Sequence, residues 1–385
     1  MMENFNASQT PVALIHATVF DGETLLDDQA VIIRSDTIVS VVPMSQAPLL
    51  PTDCIDVKGL LLTAGFIDLQ LNGCGGVLFN SDISLDTLHI MNQTNLKSGT
   101  TQFLPTLITN PQPQMQQAIS LVDSMEIRES SGVLGLHLEG PFINVAKKGA
   151  HHADFIRQLT QEEAEQLAKR HGAVKVITLA PECVGQTAID VLTDAGIKVS
   201  IGHTNATYQQ LVDKQGLSMA THLYNAMTPL ASREVGAVGY IAEHKPATGI
   251  IVDGIHAAYP AVRIAKALLG EQLFLVTDAV TPAGTDLSSY DMAGQQAFVT
   301  DGKCHYKDGT IAGAAITMID GIKNLIEHVG ITKEEALRMA SLYPARALGI
   351  EDNFGKLKAG YKANIVMLDT ALDIKGVYQM GIKRI

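Results

Sequence analysis

This 385-residue sequence is short of cysteine, short of positive charge and without a long apolar run. Its four cysteines, Cys54, Cys74, Cys183 and Cys304, are scattered and form no C-x-x-C pair. That spacing argues against a disulfide framework or a cysteine-built zinc site and suits reduced thiols in a cytoplasmic protein. The 28 Lys and Arg against 40 Asp and Glu leave a formal charge of −12. A chain so acidic is not expected to take nucleic acid as a general partner, which would need a basic face. It can still hold an anionic small molecule, which answers to a local pocket and not to net charge. No stretch approaches the ~20 apolar residues of a membrane helix. Residues 1–10 show neither the basic head nor the apolar core of a signal peptide. The expectation is a cytoplasmic protein with no membrane partner. A phosphate-cradling P-loop, an internal repeat and a low-complexity segment are also missing.

What is present describes a globular chain with ample core: 46% of residues are hydrophobic and 18% charged. Residues 12–16, 30–34 and 37–42 read as short strands punctuated by turns such as Asp21-Gly22 and Ser35-Asp36. The same texture returns at 363–368 and 374–378, so residues 1–60 and 350–385 are expected to form one small β-domain. Between them, at 61–349, apolar strand candidates alternate with helical stretches. The strands are 61–70, 100–107, 133–139, 174–180, 198–203, 217–222, 248–253 and 273–278. Helix-like runs include 84–97, 111–127, 160–171, 206–215 and 257–269, followed by 314–328 and 333–348. The run at 160–171 opens on Thr160-Gln-Glu-Glu163, a capping-box signature. Eight β/α alternations point to a parallel barrel with right-handed crossovers, with a doubly wound open sheet as the alternative.

The stretch from Val133 to Phe142 carries the first sign of chemistry. It runs Val-Leu-Gly-Leu-His-Leu-Glu-Gly-Pro-Phe, a short apolar strand stopped by Gly140-Pro141. Strand side chains alternate, so His137 and Glu139 face the same side. A buried Glu139 needs a cation or a proton, because an unpaired carboxylate in low dielectric is very costly. Two further apolar runs, 198–203 and 217–222, end on His203 and His222. One Glu and two His, each closing a separate strand, make a carboxylate–imidazole set suited to a divalent metal. In a parallel barrel the site gathers at the carboxyl ends of the strands. Those exits also carry Gln70 and Asn72, Thr106, Asp253 with His256, and Asp278.

Longer motifs surround these residues: 65–76 around Asp68-Leu-Gln70-Leu-Asn72, His137-Leu-Glu-Gly-Pro-Phe142, and Lys148-Gly-Ala-His151. They continue with Gly202-His-Thr-Asn-Ala206, Thr221-His-Leu-Tyr-Asn-Ala-Met227, Asp253-Gly-Ile-His256 and Val276-Thr-Asp-Ala279. On these motifs, over nearly its whole length, the sequence resembles the amidohydrolase superfamily of metal-dependent barrels. Within that superfamily it is similar to the N-acetylglucosamine-6-phosphate deacetylase family. The resemblance implies a (β/α)8 barrel with a small β-sandwich domain, and removal of acetate from that phosphosugar in amino-sugar catabolism. It implies one divalent metal ion per subunit, zinc before iron(II), held by Glu139, His203 and His222. Asp278 would move the proton and His151 would polarise the acetyl carbonyl. Ala150, His151, Asn225, Ala226, Arg233, Asp253, His256 and the loop Ile311-Ala312-Gly313 would contact the substrate. A homodimer or higher homo-oligomer is also implied. Where the wider superfamily has His-x-His on its first strand, this chain has Gln70-Leu-Asn72. Neutral amides are weak ligands beside imidazole, which agrees with a single tightly held ion. Two other readings stay open: a related amidohydrolase acting on another N-acyl or cyclic amide, and a non-catalytic barrel.

Overall fold

The computed structural model describes residues 10–47, 51, 53–126, 128–292 and 294–385. Its centre is a sheet of eight parallel strands, β1 (Phe66–Leu71), β2 (Thr100–Ile108), β3 (Leu136–Glu139), β4 (Val174–Leu179), β5 (Lys198–Ile201), β6 (Leu217–Ala220), β7 (Ala247–Ile250) and β8 (Leu273–Leu275). Each pairs with the next in chain order. Past β8 the chain runs on to Ala279, which bridges Leu71, and its carbonyl accepts the Asn72 and Gly73 N–H groups at 2.9 and 3.0 Å. These contacts join the last strand to the first. Apolar side chains between strands and helices make the core, including Phe66, Leu104, Phe274 and Leu275 on one side and Leu136, Leu138 and Ile177 on another. The expected capping box is realised in part: the Thr160 hydroxyl accepts from Glu163 N at 3.2 Å and starts the helix Gln161–Ala168.

The two chain ends form a second sheet. Val12–Phe20 pairs with Leu25–Arg34 and, in parallel, with Leu61–Ala64, which then pairs antiparallel with Ile365–Leu368. Thr37 bridges Lys362, so the sheet curls back around Leu14, Val31, Ile38, Leu62, Ile365 and Met367. The run expected as one strand over 61–70 is two. Leu61–Ala64 serves the end sheet and Phe66–Leu71 the barrel, with Gly65 between them. A Cβ at Gly65 would lie 2.1 Å from Thr101 Oγ1, so no side chain fits at that joint.

Two further differences from the sequence reading are local. The stretch between the strand expected to end at 278 and the helix expected from 314 holds most of a four-stranded antiparallel sheet built from Ser289–Met292, Gln295–Thr300, Lys303–His305 and Ile311–Ala314. Its strands are short and half exposed, so their alternation is too brief to read. The helix expected from 314 starts at Met318, because Ile311–Ala314 is the last strand of this insert. Among the described residues no helix is long and apolar enough to cross a membrane.

Candidate metal centre

Glu139, the last residue of β3, turns into the barrel together with His137, as strand alternation requires. His137 lies one layer lower. Its Nε2 meets Thr178 Oγ1 at 2.7 Å, and the hydroxyls of Thr178, Thr221 and Ser200 run on at 2.6 and 2.7 Å. Burial pushes the His137 imidazole down to about 4, so it is a neutral member of this hydrogen-bonded floor. Above the floor, Glu139 Oε1 stands 3.0 Å from His203 Nε2 and 2.9 Å from His222 Nε2. The two ring nitrogens are 3.0 Å apart. All three residues are at most 5% exposed.

The backbone aims these groups at a cost. His203 (φ 48°), His222 (φ 32°) and Asp278 (φ 50°) all lie in the left-handed region that non-glycine residues avoid. Strain of this kind persists where surrounding structure holds it, and it gathers at functional sites. His203 Nδ1 donates to the Lys147 carbonyl at 2.8 Å, which leaves Nε2 with its lone pair facing Glu139 and His222. Two imidazole nitrogens and a carboxylate converging at these distances are the chemistry of a cation site. A tetrahedral zinc with bonds of about 2.0–2.2 Å spreads its ligand atoms to roughly 3.3–3.6 Å, a few tenths wider than here. The donor set fits such an ion with one position left open. Burial by itself would raise the Glu139 carboxyl; the two imidazoles beside it, His203 and His222, outweigh burial and hold the group well below the usual carboxylate range.

Ligand atoms of Glu139, His151 and His203 also lie within 4.8 Å of one another, which makes His151 a rival third nitrogen. The trio with His222 is tighter, and His151 Nδ1 is already engaged. It accepts the Thr109 backbone N–H at 3.3 Å and meets Thr109 Oγ1 at 2.7 Å. A backbone N–H can only donate, so the ring proton sits on Nε2. Burial, then the nearby His203, holds this imidazole well below its usual range, hence neutral.

Asp278 follows β8 and faces the same centre. Its Oδ1 accepts from Asn72 Nδ2 at 2.7 Å and from Gln70 Nε2 at 3.1 Å. Gln70 Nε2 also reaches both oxygens of Glu139 at 3.2 Å, so one amide spans the two carboxylates. Burial, then the charge of Glu139, pushes Asp278 up to about 6.

The remaining expected residues lie around this centre. In the loop after β7, Asp253 Oδ2 is 2.6 Å from His256 Nδ1, and Oδ1 accepts the His256 N–H at 2.8 Å. Asn225 and Ala226 sit in the tight turn after His222, where Asn225 Nδ2 donates to the His222 and Leu223 carbonyls at 3.2 Å. Ile311–Ala314 comes beside Asp278: Ala314 N donates to the Asp278 carbonyl at 3.3 Å. Ala150 shares the loop of His151. Arg233 is exposed in the loop after β6 and makes no hydrogen bond or ion pair among the described residues. Sequence reasoning missed two groups. Thr109, at the exit of β2, has the polar strand-end position that could have revealed it. Glu182 lies beyond β4 and carried no such sign.

The amidohydrolase family profile matches residues 61–383, and the NagA composite domain profile residues 12–62. N-acetylglucosamine-6-phosphate deacetylase of Haemophilus influenzae is 42% identical over 374 residues, covering 96% of this chain and 98% of its own. The solved structure of N-acetylglucosamine-6-phosphate deacetylase from Pasteurella multocida superposes with a TM-score of 0.92 at 42% identity, over 96% of this chain and 98% of that one. An aspartate-to-alanine mutant of the Mycobacterium smegmatis enzyme was solved with N-acetyl-D-glucosamine-6-phosphate. It superposes with a TM-score of 0.89 at 30% identity, over 98% of this chain and 100% of that one.

Proposed function

This chain belongs to the amidohydrolase family, and on that premise we propose that it hydrolyses N-acetyl-D-glucosamine 6-phosphate to D-glucosamine 6-phosphate and acetate, in amino-sugar catabolism. The observation that carries the reading is the meeting of Glu139, His203 and His222 beside Asp278, in a chain similar to these deacetylases over almost its full length. We assign the barrel to 61–349 and the small β-domain to 1–60 and 350–385, with the shared strand Leu61–Ala64 lying in the end sheet.

A divalent ion at Glu139 Oε1, His203 Nε2 and His222 Nε2, zinc first and iron(II) second, would polarise a carbonyl and acidify a water. Asp278 Oδ1 is occupied by Asn72 and Gln70, which leaves Oδ2 to take the proton of the attacking water and return it to the amine nitrogen. His151 donates its Nε2–H to the acetyl carbonyl oxygen, where negative charge develops. Asp253 fixes His256 through Nδ1, so Nε2 is free to meet the phosphate together with Arg233 and the Asn225-Ala226 turn. Ala150 and Ile311-Ala312-Gly313 complete the walls around the sugar. The protein acts in the cytoplasm as a homodimer or larger homo-oligomer.

The test is acetate release measured with metal content on the same sample. The substrates are N-acetylglucosamine 6-phosphate, its unphosphorylated form, the C4-epimeric phosphosugar, and an N-acyl amino acid. Release dependent on the ion and strongest with the first substrate supports the reading. Equal turnover of the N-acyl amino acid would transfer it to another amidohydrolase reaction.

A further inference from the structure

Of the eight strand exits, only β4 offered no candidate residue. Directly beyond it, the short turn Pro181–Cys183 carries Glu182, whose two oxygens collect donors from both neighbouring loops. Oε1 accepts from Asn144 Nδ2 at 3.0 Å and from Asn205 N at 2.7 Å; Oε2 accepts from Thr204 Oγ1 at 2.6 Å. We propose that Glu182 is a positioning residue that holds His203 in place, acting from both sides of that ligand; this rests on the metal-dependent reading above.

The connection to His203 is short on each side. Asn144 N donates to the His203 carbonyl at 2.9 Å, and Asn144 Oδ1 accepts from Ala146 N at 2.9 Å to start the turn Val145–Lys147. That turn delivers the Lys147 carbonyl, which receives His203 Nδ1–H at 2.8 Å and so fixes the ring's tautomer and angle. On the other side, Thr204 and Asn205 follow His203 immediately, and a left-handed residue needs its flanks restrained. Three donors of different kinds converge on one side chain. A carboxylate can accept from all of them, and its charge strengthens each bond; a glutamine offers only one acceptor oxygen. The same turn precedes His151, so loosening Asn144 disturbs the neighbouring histidine as well.

The experiment compares wild type with Glu182→Ala, Glu182→Gln, Asn144→Ala and the Glu182→Ala/Asn144→Ala double variant. It reads zinc affinity by chelator competition and melting of the ion-free chain. Thr160→Ala, which removes a distant helix cap, is the control for destabilisation alone. Glu182→Ala should weaken zinc binding by roughly 10- to 100-fold, the range for partners that orient metal ligands. Glu182→Gln should lose less, because its oxygen still serves Asn144 and Asn205 while its amide can donate to Thr204 Oγ1. The double variant should lose less than the sum of the two single losses, since the Glu182–Asn144 hydrogen bond is counted in both. Thr160→Ala should melt lower and keep its zinc. Should Glu182→Ala fail to fold, Thr204→Val removes one donor and should weaken zinc binding severalfold. Wild-type zinc affinity in a folded Glu182→Ala or Thr204→Val chain, or additive losses in the double variant, overturns the assignment. A wild-type chain that takes up no zinc overturns the metal centre itself.

Discussion

Asp278, the proposed base, is gripped at one oxygen by two amides. Asn72 and Gln70 both donate to Oδ1, and Gln70 also spans to Glu139, so one amide bridges the two carboxylates. Asp278→Asn preserves that arrangement, because an amide oxygen accepts in the same place, but an amide cannot carry the proton. Turnover should fall by roughly 10²- to 10⁴-fold, the usual worth of a general acid–base, with zinc content and melting close to wild type. Steady-state kinetics beside metal analysis checks this; near-normal turnover with the ion bound removes Asp278 from the reaction. The strand-end reading of the sequence reached this cluster because period two and an abrupt polar ending are local properties. It passed over Glu182 because a carboxylate in a short turn looks solvated, and only the fold brings Asn144 and Thr204 to it.

Between strands, a buried carboxyl ties β1 to the segment after β8. Asp68 on β1 accepts from Thr277 Oγ1 and Thr277 N, beside Asp278, and from Gln70 N on its own strand. Burial is the largest influence on it and pushes the carboxyl up to about 7, well above an unfolded aspartate near 3.8. A carboxyl raised in the folded state favours folding most when protonated. Its contribution is full below the unfolded value and is lost as pH rises through about 7. Denaturation of the ion-free chain across that window should therefore show stability falling with pH, and Asp68→Asn should flatten the fall. An unchanged slope would show that Asp68 titrates normally. The sequence could not show this link, since Asp68 there is one polar residue in an apolar run. The same limit explains the single strand read over 61–70: both halves are apolar, and only the clash a side chain would meet at Gly65 marks the joint. The end sheet and the alternating barrel were legible because their periodicities are strong and their turns conspicuous.

At the scale of the whole molecule, Arg233 is the cation expected at the phosphate, yet it stands exposed and without a partner among the described residues. Arg233→Ala should raise KM for the phosphorylated sugar roughly ten- to hundredfold, the loss of one charge-assisted hydrogen bond, and leave the unphosphorylated sugar nearly unaffected. Unchanged discrimination between the two sugars would sink the assignment. Mixing Arg233→Ala with Asp278→Asn chains then tells whose site the arginine serves: hybrids regain an intact site only when it reaches across to a neighbouring copy. The end sheet has a consequence of another kind. Leu61–Ala64 finds its antiparallel partner only in Ile365–Leu368, about 300 residues later in the chain. During synthesis at ~5–20 residues per second, those early strands wait roughly 15–60 s with an open edge and an uncovered apolar face. A ribosome that stops inside the barrel thus releases a ready template for strand addition, and such fragments should collect in inclusion bodies.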